Sequence, residues 1–334
     1  MTRTLILGGT GFIGLNLARR LAELAAPGDE ILLTDNFSRG PHDEDVDDIL
    51  RRYETTVRLD QIDLSLPGAY QRFHGAFDFV YLLASIVGVG PSERAPETVM
   101  RVNTTIILGA LEWMARSGSK RVFFSSTSEN YAGGYELGII PIPTPEDVPL
   151  VIGDIRNPRF SYAVTKIWGE AACIFYGSHH GFTSIIGRYH NVYGPRMGWD
   201  HVIPQLTSRI VCGERPLRVK SPDQTRAFCH VSDAVEATRL VMQSPEVQNG
   251  TIVHIGDDRE EVAIGDLAKR LLALAGRAQE YESAPAPIGS VLRRAPDISL
   301  LRRLTGFVPR VSMTEGLAET FAWYRAHPHP KDAA

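Results

Sequence analysis

A glycine-rich segment near the N-terminus constrains the fold more than any other feature of this chain. Glycines stand at positions 8, 9, 11 and 14, between the short apolar run of residues 4–7 and the amphipathic pattern of residues 12–25. Such glycines let the chain turn tightly, let an anionic ligand approach the backbone and let the new helix pack closely on its strand. The N-terminus of that helix also presents unpaired N–H groups to an anion. The alternative is a glycine-rich turn that binds no ligand.

An acidic residue follows the glycines at the distance expected of a dinucleotide site. Asp35 ends a second strand-like run, residues 30–34. The order strand, glycine turn, helix, strand and acidic residue is that of the βαβ unit that binds dinucleotides. A carboxylate there accepts hydrogen bonds from the adenosine ribose and repels a 2′-phosphate, so the sequence predicts NAD as the cofactor. Arg39, a few residues on, is the residue that would favour NADP instead.

Short apolar runs alternate with longer amphipathic patterns through the first half of the chain. This alternation predicts an α/β fold with a Rossmann-type, doubly wound parallel sheet and helices on both of its faces. Apolar residues recur at three- and four-residue spacing in residues 96–116 and 161–176, which predicts two long helices. The predicted strands are residues 4–7, 30–34, 56–59, 77–83, 121–125, 183–188 and 251–255.

The composition excludes several classes of function. Of 334 residues, 43% are hydrophobic and 22% are charged, which supports a core and excludes global disorder. A net charge of −4 provides no basic surface for nucleic acid, and no run approaches membrane-spanning length. The three widely spaced cysteines fit neither a disulfide framework nor a zinc site, and the scattered histidines show no ligand spacing, so we expect no metal. With no secretory signal pattern, the sequence predicts a cytoplasmic protein.

A tyrosine and a lysine four residues apart, Tyr162 and Lys166, fall on one face of the second long helix. An ammonium beside a phenol stabilises the phenolate, so we expect a lowered pKa for Tyr162 and a role as general base on a substrate hydroxyl. Residues 125–131, Ser-Ser-Thr-Ser-Glu-Asn-Tyr, follow the end of a predicted strand. Ligands bind beyond the carboxyl ends of such strands. The two motifs together predict a reaction centre at that edge of the sheet.

These motifs resemble those of the extended short-chain dehydrogenases/reductases, in the group of nucleotide-sugar epimerases, dehydratases and decarboxylases. The resemblance covers essentially the whole chain, and it implies a sugar nucleotide, UDP-linked, as substrate. It also implies an NAD-binding lobe of residues 1–187 and 229–266, and a smaller nucleotide-sugar-binding lobe of residues 188–228 and 267–326. The matching positions are Gly8 to Gly14, Asp35 to Ser38, Asp63, Leu64, Leu83 to Ser85, Asn103, Thr127, Tyr162, Lys166 and Arg188 to Pro195.

The resemblance further implies which residues contact each ligand. Asp63 and Leu64 would flank the adenine, and Tyr189 would lie near the nicotinamide. The implied substrate-binding residues are Asn191, Arg226 and Arg294. The implied cofactor-binding residues are Gly8, Gly11, Phe12, Ile13, Gly14, Asp35, Asn36, Asp63, Leu64, Leu83, Ala84, Ser85, Asn103, Tyr162, Lys166 and Tyr189.

By the same resemblance, Tyr162 removes the proton of the sugar 4-hydroxyl, with a hydrogen bond from Thr127, as hydride leaves C4 and a 4-keto sugar forms. The following step depends on other groups. Dehydratases of the group carry Thr-Asp-Glu here, whereas this chain has Ser128 in the second position and Glu129 in the third, similar to the Thr-Ser-Glu of UDP-glucuronic acid decarboxylases. Arg294 matches the arginine that acts with that glutamate around the carboxylate and C5. We therefore expect a UDP-glucuronic acid decarboxylase.

Other functions remain open. Residues 86–90, Ile-Val-Gly-Val-Gly, lack the proline-rich loop of UDP-xylose synthases and are closer to epimerases. In a nucleotide-sugar 4-epimerase, Glu129 would be a turn residue and Arg294 a phosphate ligand. A 4,6-dehydratase is a further alternative. A non-catalytic dinucleotide sensor would belong to a different class, and the intact threonine, tyrosine and lysine set argues against it.

The resemblance also implies an assembly. The two long predicted helices, residues 96–116 and 161–176, are similar to those that form a four-helix dimer interface in this group. A symmetric homodimer is therefore expected.

Overall fold

A parallel sheet forms the centre of the structure, a computed structural model that describes residues 1–39, 42–285 and 291–328. Residues 40–41 of the predicted NAD lobe and residues 286–290 of the predicted substrate lobe lie outside the described residues. In spatial order, the seven strands are β11 (Thr251–Ile255), β6 (Thr183–Tyr189), β5 (Arg121–Thr127), β4 (Phe79–Leu82), β1 (Arg3–Leu7), β2 (Glu30–Asp35) and β3 (Val57–Gln61).

The sheet confirms the predicted fold class. Every neighbouring pair of strands is parallel, and β1 lies between β2 and β4, so the chain winds outward in both directions from the centre. All seven predicted strands are present, with ends displaced by at most two residues. Successive side chains alternate between the faces of a strand: Ile6 joins one hydrophobic core, and Leu5 and Leu7 join the other.

Helices cover both faces of the sheet and bury apolar stripes against it. Leu15, Val46 and Val235 pack on one face, and Ile107 and Cys173 on the other. No helix in the described ranges is long and apolar enough to cross a bilayer. The helices are α1 (Phe12–Glu23), α2 (Glu44–Arg52), α3 (Val89–Arg94), α4 (Pro96–Ser117), α5 (Ala132–Glu136), α6 (Phe160–His180), α7 (Val202–Val211), α8 (Val231–Gln243), α9 (Ile264–Leu274), α10 (Ser299–Thr305) and α11 (Met313–Ala326).

A second, smaller core lies beside the carboxyl edge of the sheet. Ile203 of α7, Leu271 of α9 and Leu317 of α11 pack together in it. The short strands associated with this part of the chain are β7 (Val192–Tyr193), β8 (Leu217–Lys220), β9 (Thr225–Ala227), β10 (Cys229–His230), β12 (Glu261–Ala263), β13 (Tyr281–Ala284) and β14 (Arg293–Arg294). They pair into three small sheets, of which β12, β9 and β14 form the one nearest the candidate site.

One helix of the predicted substrate lobe packs elsewhere. Leu301 of α10, with Ile298 before it and Phe307 after it, lies in the core of the first lobe together with side chains of α8. The predicted segment 267–326 is therefore divided by packing: α9 and α11 contribute to the second core and α10 to the first. The sequence did not indicate this division because α10 has the same apolar spacing as any short amphipathic helix.

The register of the sheet aligns the ends of its strands. Leu7 lies opposite Leu82 and Thr34, and Thr127 lies opposite Tyr189. Segments far apart in the sequence therefore leave the sheet along a single edge, and the candidate site is built there.

Candidate active site

The glycine turn after β1 is closely packed and leaves the start of α1 open. The N–H groups of Gly8 and Gly9 both donate to Thr34 O, at 2.8 and 2.9 Å. A Cβ on Gly14 would lie 2.2 Å from Gly8 O, and one on Gly8, at φ +84°, would lie 2.7 Å from a backbone nitrogen of the neighbouring strand end. Gly11 precedes the first turn of α1, and no side chain caps it. The free N–H groups of that turn fit a phosphate.

Asp35 is fixed next to this turn. Its carboxylate accepts hydrogen bonds from Thr10 N at 3.2 Å and from Phe37 N at 3.0 Å. At the end of β3, Asp63 accepts from Ser65 N at 2.9 Å and Ser65 Oγ at 2.7 Å. These bonds from Ser65, with a further one from the Asn36 side chain, outweigh the effect of burial and lower the pKa of Asp63. Carboxylates thus lie at the end of β2 and just beyond β3, where the ribose and adenine of a dinucleotide would be bound.

The segment after β4 is held on the opposite side of the glycine turn. The N–H groups of Leu83 and Ala84 donate to Leu7 O at 2.9 and 2.8 Å. The amide of Asn103, on α4, accepts from Ile86 N at 2.7 Å and donates to Ile86 O at 3.1 Å. Asn103 therefore fixes the loop that follows β4 by pairing with both backbone groups of one residue.

The other predicted cofactor-binding residues also lie near the carboxyl edge of the sheet, but they differ in burial and in hydrogen bonding. Ser85 donates to Ile86 O at 3.3 Å, and Leu64 is buried in the core on the α4 side. Phe12 and Ile13 are partly buried at the start of α1. The glycine cradle, the open helix start and the carboxylates beyond the strands fit NAD. No cluster of metal-ligating side chains occurs within the described ranges.

Tyr162 and Lys166 lie on α6, across from the end of β5. The phenol of Tyr162 hydrogen-bonds to the Thr127 side chain. Lys166 is buried, donates to Ser125 O at 2.7 Å, and lies with Nζ 5.6 Å from the Tyr162 ring centroid. Burial lowers the pKa of Lys166 to about 7, against the opposing effects of Cys173 and Glu170. The tyrosine, threonine and lysine of the sequence motifs therefore meet at one place.

The expected lowering of the Tyr162 pKa was wrong for the chain alone. Burial, and then the negative charge of Glu129, raise the pKa of the Tyr162 phenol above its ordinary value, while the Thr127 hydrogen bond and Arg39 act in the opposite direction. The physical reason is that the Lys166 ammonium is directed to a backbone carbonyl and is itself poorly solvated.

Glu129 lies between two arginines. Arg294 Nη1 is 2.5 Å from Glu129 Oε1, and Arg159 Nη2 is 3.7 Å from Glu129 Oε2. The Arg294 side chain is 6% exposed and that of Glu129 is 35% exposed, so the pair is open to the cleft through the carboxylate. Burial alone would raise the pKa of Glu129, but Arg294, and then Arg159 and Arg226, outweigh it and lower that pKa below its usual range. Glu129 is thus ionised at neutral pH.

Arg226 lies on β9, which pairs with β12 and β14. It donates to Thr225 O at 2.7 Å, to Val291 O at 2.7 Å and to Gln224 Oε1 at 3.1 Å. Burial and the nearby cation of Arg294 lower the pKa of Arg226 to about 10. These backbone contacts fix the orientation of its guanidinium, and the site as a whole favours an anion.

The remaining predicted residues follow β6. The Asn191 amide donates to Ala227 O at 2.9 Å, and Asn191 has a left-handed backbone with φ +40°. The Tyr189 hydroxyl is 2.8 Å from Thr238 Oγ1 on α8. The Asn191 amide thus connects the end of β6 to β9, next to Arg226, and the Tyr189 phenol is directed to α8.

A buried polar network beneath the reaction centre was not predicted. Glu170, on α6, accepts from Arg188 Nε at 2.9 Å, Arg188 Nη2 at 2.6 Å and Asn130 Nδ2 at 2.8 Å, and also from Ser126 Oγ. Arg188 donates to Tyr131 Oη at 2.6 Å. The network holds the two residues that follow Glu129. The sequence shows Glu170 four residues after Lys166, but the partners of Glu170 lie on or just after strands β5 and β6, far away in the sequence.

Arg159 was also missed as a site residue. It precedes α6 and contacts Glu129, which follows β5. The sequence offered no signal for this contact because a single arginine in a loop is usually a surface residue.

Comparisons with known proteins place these features in a family. Residues 4–256 match the NAD dependent epimerase/dehydratase family. UDP-N-acetyl-alpha-D-glucosaminuronate decarboxylase of Bacillus cytotoxicus is 33% identical over 339 residues, covering 97% of this chain and 98% of that protein. UDP-glucuronic acid decarboxylase 1 of Xenopus tropicalis is 29% identical and covers 97% of this chain and 72% of that protein.

A solved structure shows the same fold over the whole chain. DesIV, a dTDP-glucose 4,6-dehydratase from Streptomyces venezuelae solved with NAD and TYD bound, has a TM-score of 0.85 and 25% identity, with 98% of both chains covered. The fold is therefore one on which at least two different reactions are carried out, and the residues of the site must decide between them.

Proposed function

This chain belongs to the NAD-dependent epimerase/dehydratase family, and we propose that it is a decarboxylase of a UDP-linked uronic acid, with UDP-glucuronate as the first candidate substrate. The observation that carries the proposal is the Glu129–Arg294 pair, with 2.5 Å between its closest atoms, beside Tyr162. Ser128, buried at 3% exposure, stands where a dehydratase would need an acid.

Several residues of the chain act in the first step, which is oxidation of the sugar at C4. NAD supplies the hydride acceptor for C4 and a positive charge. Tyr162 takes the proton of the 4-hydroxyl, and Thr127 holds the phenol by a hydrogen bond. Burial lowers the pKa of Lys166 to about 7 in the chain alone, and an anion that forms beside it favours the charged ammonium. Oxidation at C4 makes the C6 carboxylate that of a β-keto acid.

Loss of CO2 then requires charge stabilisation rather than an acid at C6. The C5–C6 bond breaks, its electron pair remains at C5 and is delocalised into the C4 carbonyl, and CO2 departs. Arg294 stabilises the resulting enolate as a buried cation. A solvent proton is added at C5, where ionised Glu129 orients the water. The reduced cofactor would supply the hydride that restores the alcohol at C4, and Tyr162 returns the proton to the C4 oxygen.

The cofactor and substrate contacts are assigned on the same basis. We assign the glycine turn and the start of α1 to the pyrophosphate, Asp35 and Asn36 to the ribose, and Asp63 and Leu64 to the adenine. The residues assigned to the cofactor side of the reaction centre are Leu83, Ala84, Ser85, Asn103, Tyr162, Lys166 and Tyr189. Asn191 and Arg226 are assigned to the diphosphate of the sugar nucleotide, which the donors fixed on β9 support.

The 33% identical relative favours a second substrate, UDP-N-acetylglucosaminuronate, for the same reaction. A 4-epimerase is the second candidate reaction, because residues 86–90, which Asn103 holds at Ile86, have two glycines and lack the proline-rich sequence.

The test is incubation of the NAD-loaded protein with a panel of sugar nucleotides, followed by mass spectrometry. A UDP-uronate product that has lost the mass of CO2 supports the proposal. A product of unchanged mass and altered C4 configuration identifies an epimerase. Binding of NAD without turnover of any member of the panel favours the dinucleotide sensor.

We also propose a cytoplasmic homodimer. Its interface would be the four-helix arrangement of α4 and α6 from two copies, on which Met100, Leu108, Trp168 and Phe175 are exposed although apolar. The three free cysteines fit a reducing compartment. Light scattering tests the assembly, and a monomer for the native chain would contradict it.

A further inference from the structure

A row of buried polar side chains crosses three neighbouring strands near their carboxyl ends. In the register of the sheet, Ser126 of β5 lies opposite Arg188 of β6, and Arg188 lies opposite His254 of β11. Residues that lie opposite each other in a sheet project to the same face, so these side chains are neighbours. All three are buried. A buried polar group needs hydrogen-bond partners, and those of His254 lie in the two segments that carry Glu129 and Arg294.

Each nitrogen of the His254 ring has a partner. Nδ1 is 2.9 Å from Asp297 O, and Nε2 is 2.6 Å from Tyr131 Oη. A carbonyl oxygen only accepts, so Nδ1 carries the hydrogen. Burial, and then the Arg188 cation, lower the pKa of His254 to about 3, against the hydrogen bond to Asp297 O. The ring is therefore neutral at pH 7, and Nε2 accepts from the Tyr131 hydroxyl, which itself accepts from Arg188 Nη1 at 2.6 Å.

Tyr131 belongs to the turn that carries Glu129. This turn is a short helical segment, Ser128–Tyr131, and Tyr131 is completely buried at its end. Asn130, also in the turn, donates to Glu170 at 2.8 Å. The two residues that follow Glu129 are therefore both fixed, and with them the backbone from which the Glu129 carboxylate projects.

The other end of this connection is the segment that carries Arg294. Arg294 ends β14, and the chain beyond it runs beside Thr144. Thr144 N donates to Ala295 O at 2.9 Å, and Asp297 N donates to Thr144 O at 2.8 Å. The acceptor of the His254 ring, Asp297 O, therefore belongs to a segment with a fixed backbone, a few residues beyond Arg294.

Two hydrogen bonds of one imidazole thus connect segments that are distant in the sequence. Glu129 and Arg294 are 165 residues apart, yet their closest atoms are 2.5 Å apart. β5 and β14 belong to different sheets, so the register of the central sheet does not by itself set that distance. Groups that act together on a substrate need a precise arrangement, since a displacement of about 1 Å can cost a factor of about 10² in rate. A side chain bonded to both segments is suited to maintain that arrangement.

We propose that His254 is a positioning residue, which sets the place of Arg294 relative to Glu129 through its bonds to Tyr131 and Asp297 O. The imidazole is completely buried, so it acts through these neighbours rather than on the substrate itself. The inference rests on the proposed function for what the Glu129–Arg294 pair does to the sugar. The connection between the two segments is a property of the folded chain, and it can be measured without any substrate.

Two substitutions separate the bonds of the imidazole. The asparagine amide ends near the position of Nδ1, so His254→Asn keeps a donor for Asp297 O and loses the bond to Tyr131. The glutamine amide is longer and reaches toward Tyr131, so His254→Gln loses the bond to Asp297 O. Amide hydrogen exchange of the NAD-loaded protein, without substrate, is the first measurement. Residues 293–297 should exchange about 3- to 10-fold faster in His254→Gln, and residues 128–131 should do so in His254→Asn.

Turnover is the second measurement. Because both bonds maintain the arrangement, each variant should lower kcat for CO2 release by about tenfold or more and change KM by less than about twofold. In the Arg294→Gln background the same substitutions should cost less than about threefold, because the group that His254 positions is already absent. His230→Asn is the matched control, because His230 is also a buried imidazole, at the start of α8. It should change neither kcat nor the exchange of the two segments.

Exchange of residues 293–297 at the native rate in His254→Gln would overturn the proposal. Equal losses of kcat with and without Arg294 would overturn it as well, since they would show that His254 supports the fold in general. If His254→Gln does not fold, Tyr131→Phe breaks the same connection at its other bond and should reproduce the exchange and kinetics of His254→Asn. A native chain that releases no CO2 would contradict the proposed function, and the exchange rates would still decide the role of His254.

Discussion

Replacing Glu129 by glutamine tests the reaction most directly, because it removes a charge and keeps the size of the side chain. The carboxylate has the 2.5 Å contact with Arg294 and faces the cleft. A positioned acid–base group contributes about 10²–10⁴ to a rate, so we expect kcat for CO2 release from UDP-glucuronate to fall by that factor. NAD affinity should not change, since the predicted dinucleotide contacts lie on other strand ends.

Glu129→Gln should also lower the free energy of unfolding by a modest amount. Removing one partner of a fully buried ion pair costs about 3–5 kcal/mol, but the 35% exposure of Glu129 admits water, so about 1–3 kcal/mol is the reasonable range. For 334 residues the unfolding entropy is about 0.7 kcal/mol/K. The Tm should therefore fall by about 1.5–4 °C.

The assay is stopped-flow or single-turnover measurement of CO2 release, with NAD titration and a thermal melt on the same preparation. Glu214→Gln is the matched control, because Glu214 is also 2.5 Å from an arginine, Arg209, but lies outside the cleft. Undiminished CO2 release from Glu129→Gln would refute the reasoning. A loss of NAD binding in parallel with activity would show that the carboxylate supports the fold rather than the chemistry.

Three further outcomes are expected. Gly14→Ala should weaken NAD binding by at least about tenfold and cost about 1–3 kcal/mol, because its Cβ would clash with Gly8 O. Gly28→Asn, outside the glycine turn, should leave NAD binding unchanged in the same titration, although its positive φ strains the backbone. The folded-state pKa of Lys166, about 7 against 10.5, means that the unfolded chain binds more protons between these values, so the free energy of unfolding of the NAD-free protein should rise from pH 7 toward pH 10 by up to about 1.4 kcal/mol per pH unit. Denaturant titrations should show no such contribution in Lys166→Met. Asp35→Ala should reduce the preference for NAD over NADP; tighter binding of NADP than of NAD by the native protein would contradict the role given to Asp35.

Local patterns predicted the fold and much of the site. The sheet, the glycine turn and the helix that carries Tyr162 and Lys166 are each specified within a few residues of sequence. Glu129 and Arg294 are 165 residues apart, and only the family resemblance connected them. Their contact in the structure agrees with that connection.

Features that depend on three-dimensional surroundings could not be predicted in this way. The expected pKa of Tyr162 was wrong because helical spacing gives neighbouring positions, but it does not give the burial or the direction of the Lys166 ammonium. The network around Glu170 and the contact of Arg159 each join separate segments. Sequence patterns of period two or 3.6 carry no information about such pairs.

The first turn of α1 presents main-chain N–H groups to the cofactor. The groups expected to contact the sugar are instead side chains from several segments of the chain. Amide hydrogens belong to every residue type except proline, so point substitutions leave those donors in place as long as the glycines remain. The side chains expected to contact the sugar have no such protection, because a single substitution there changes the charge or the length of a side chain. A protein built in this way can acquire a new reaction on its sugar substrate while the electron carrier it depends on stays the same.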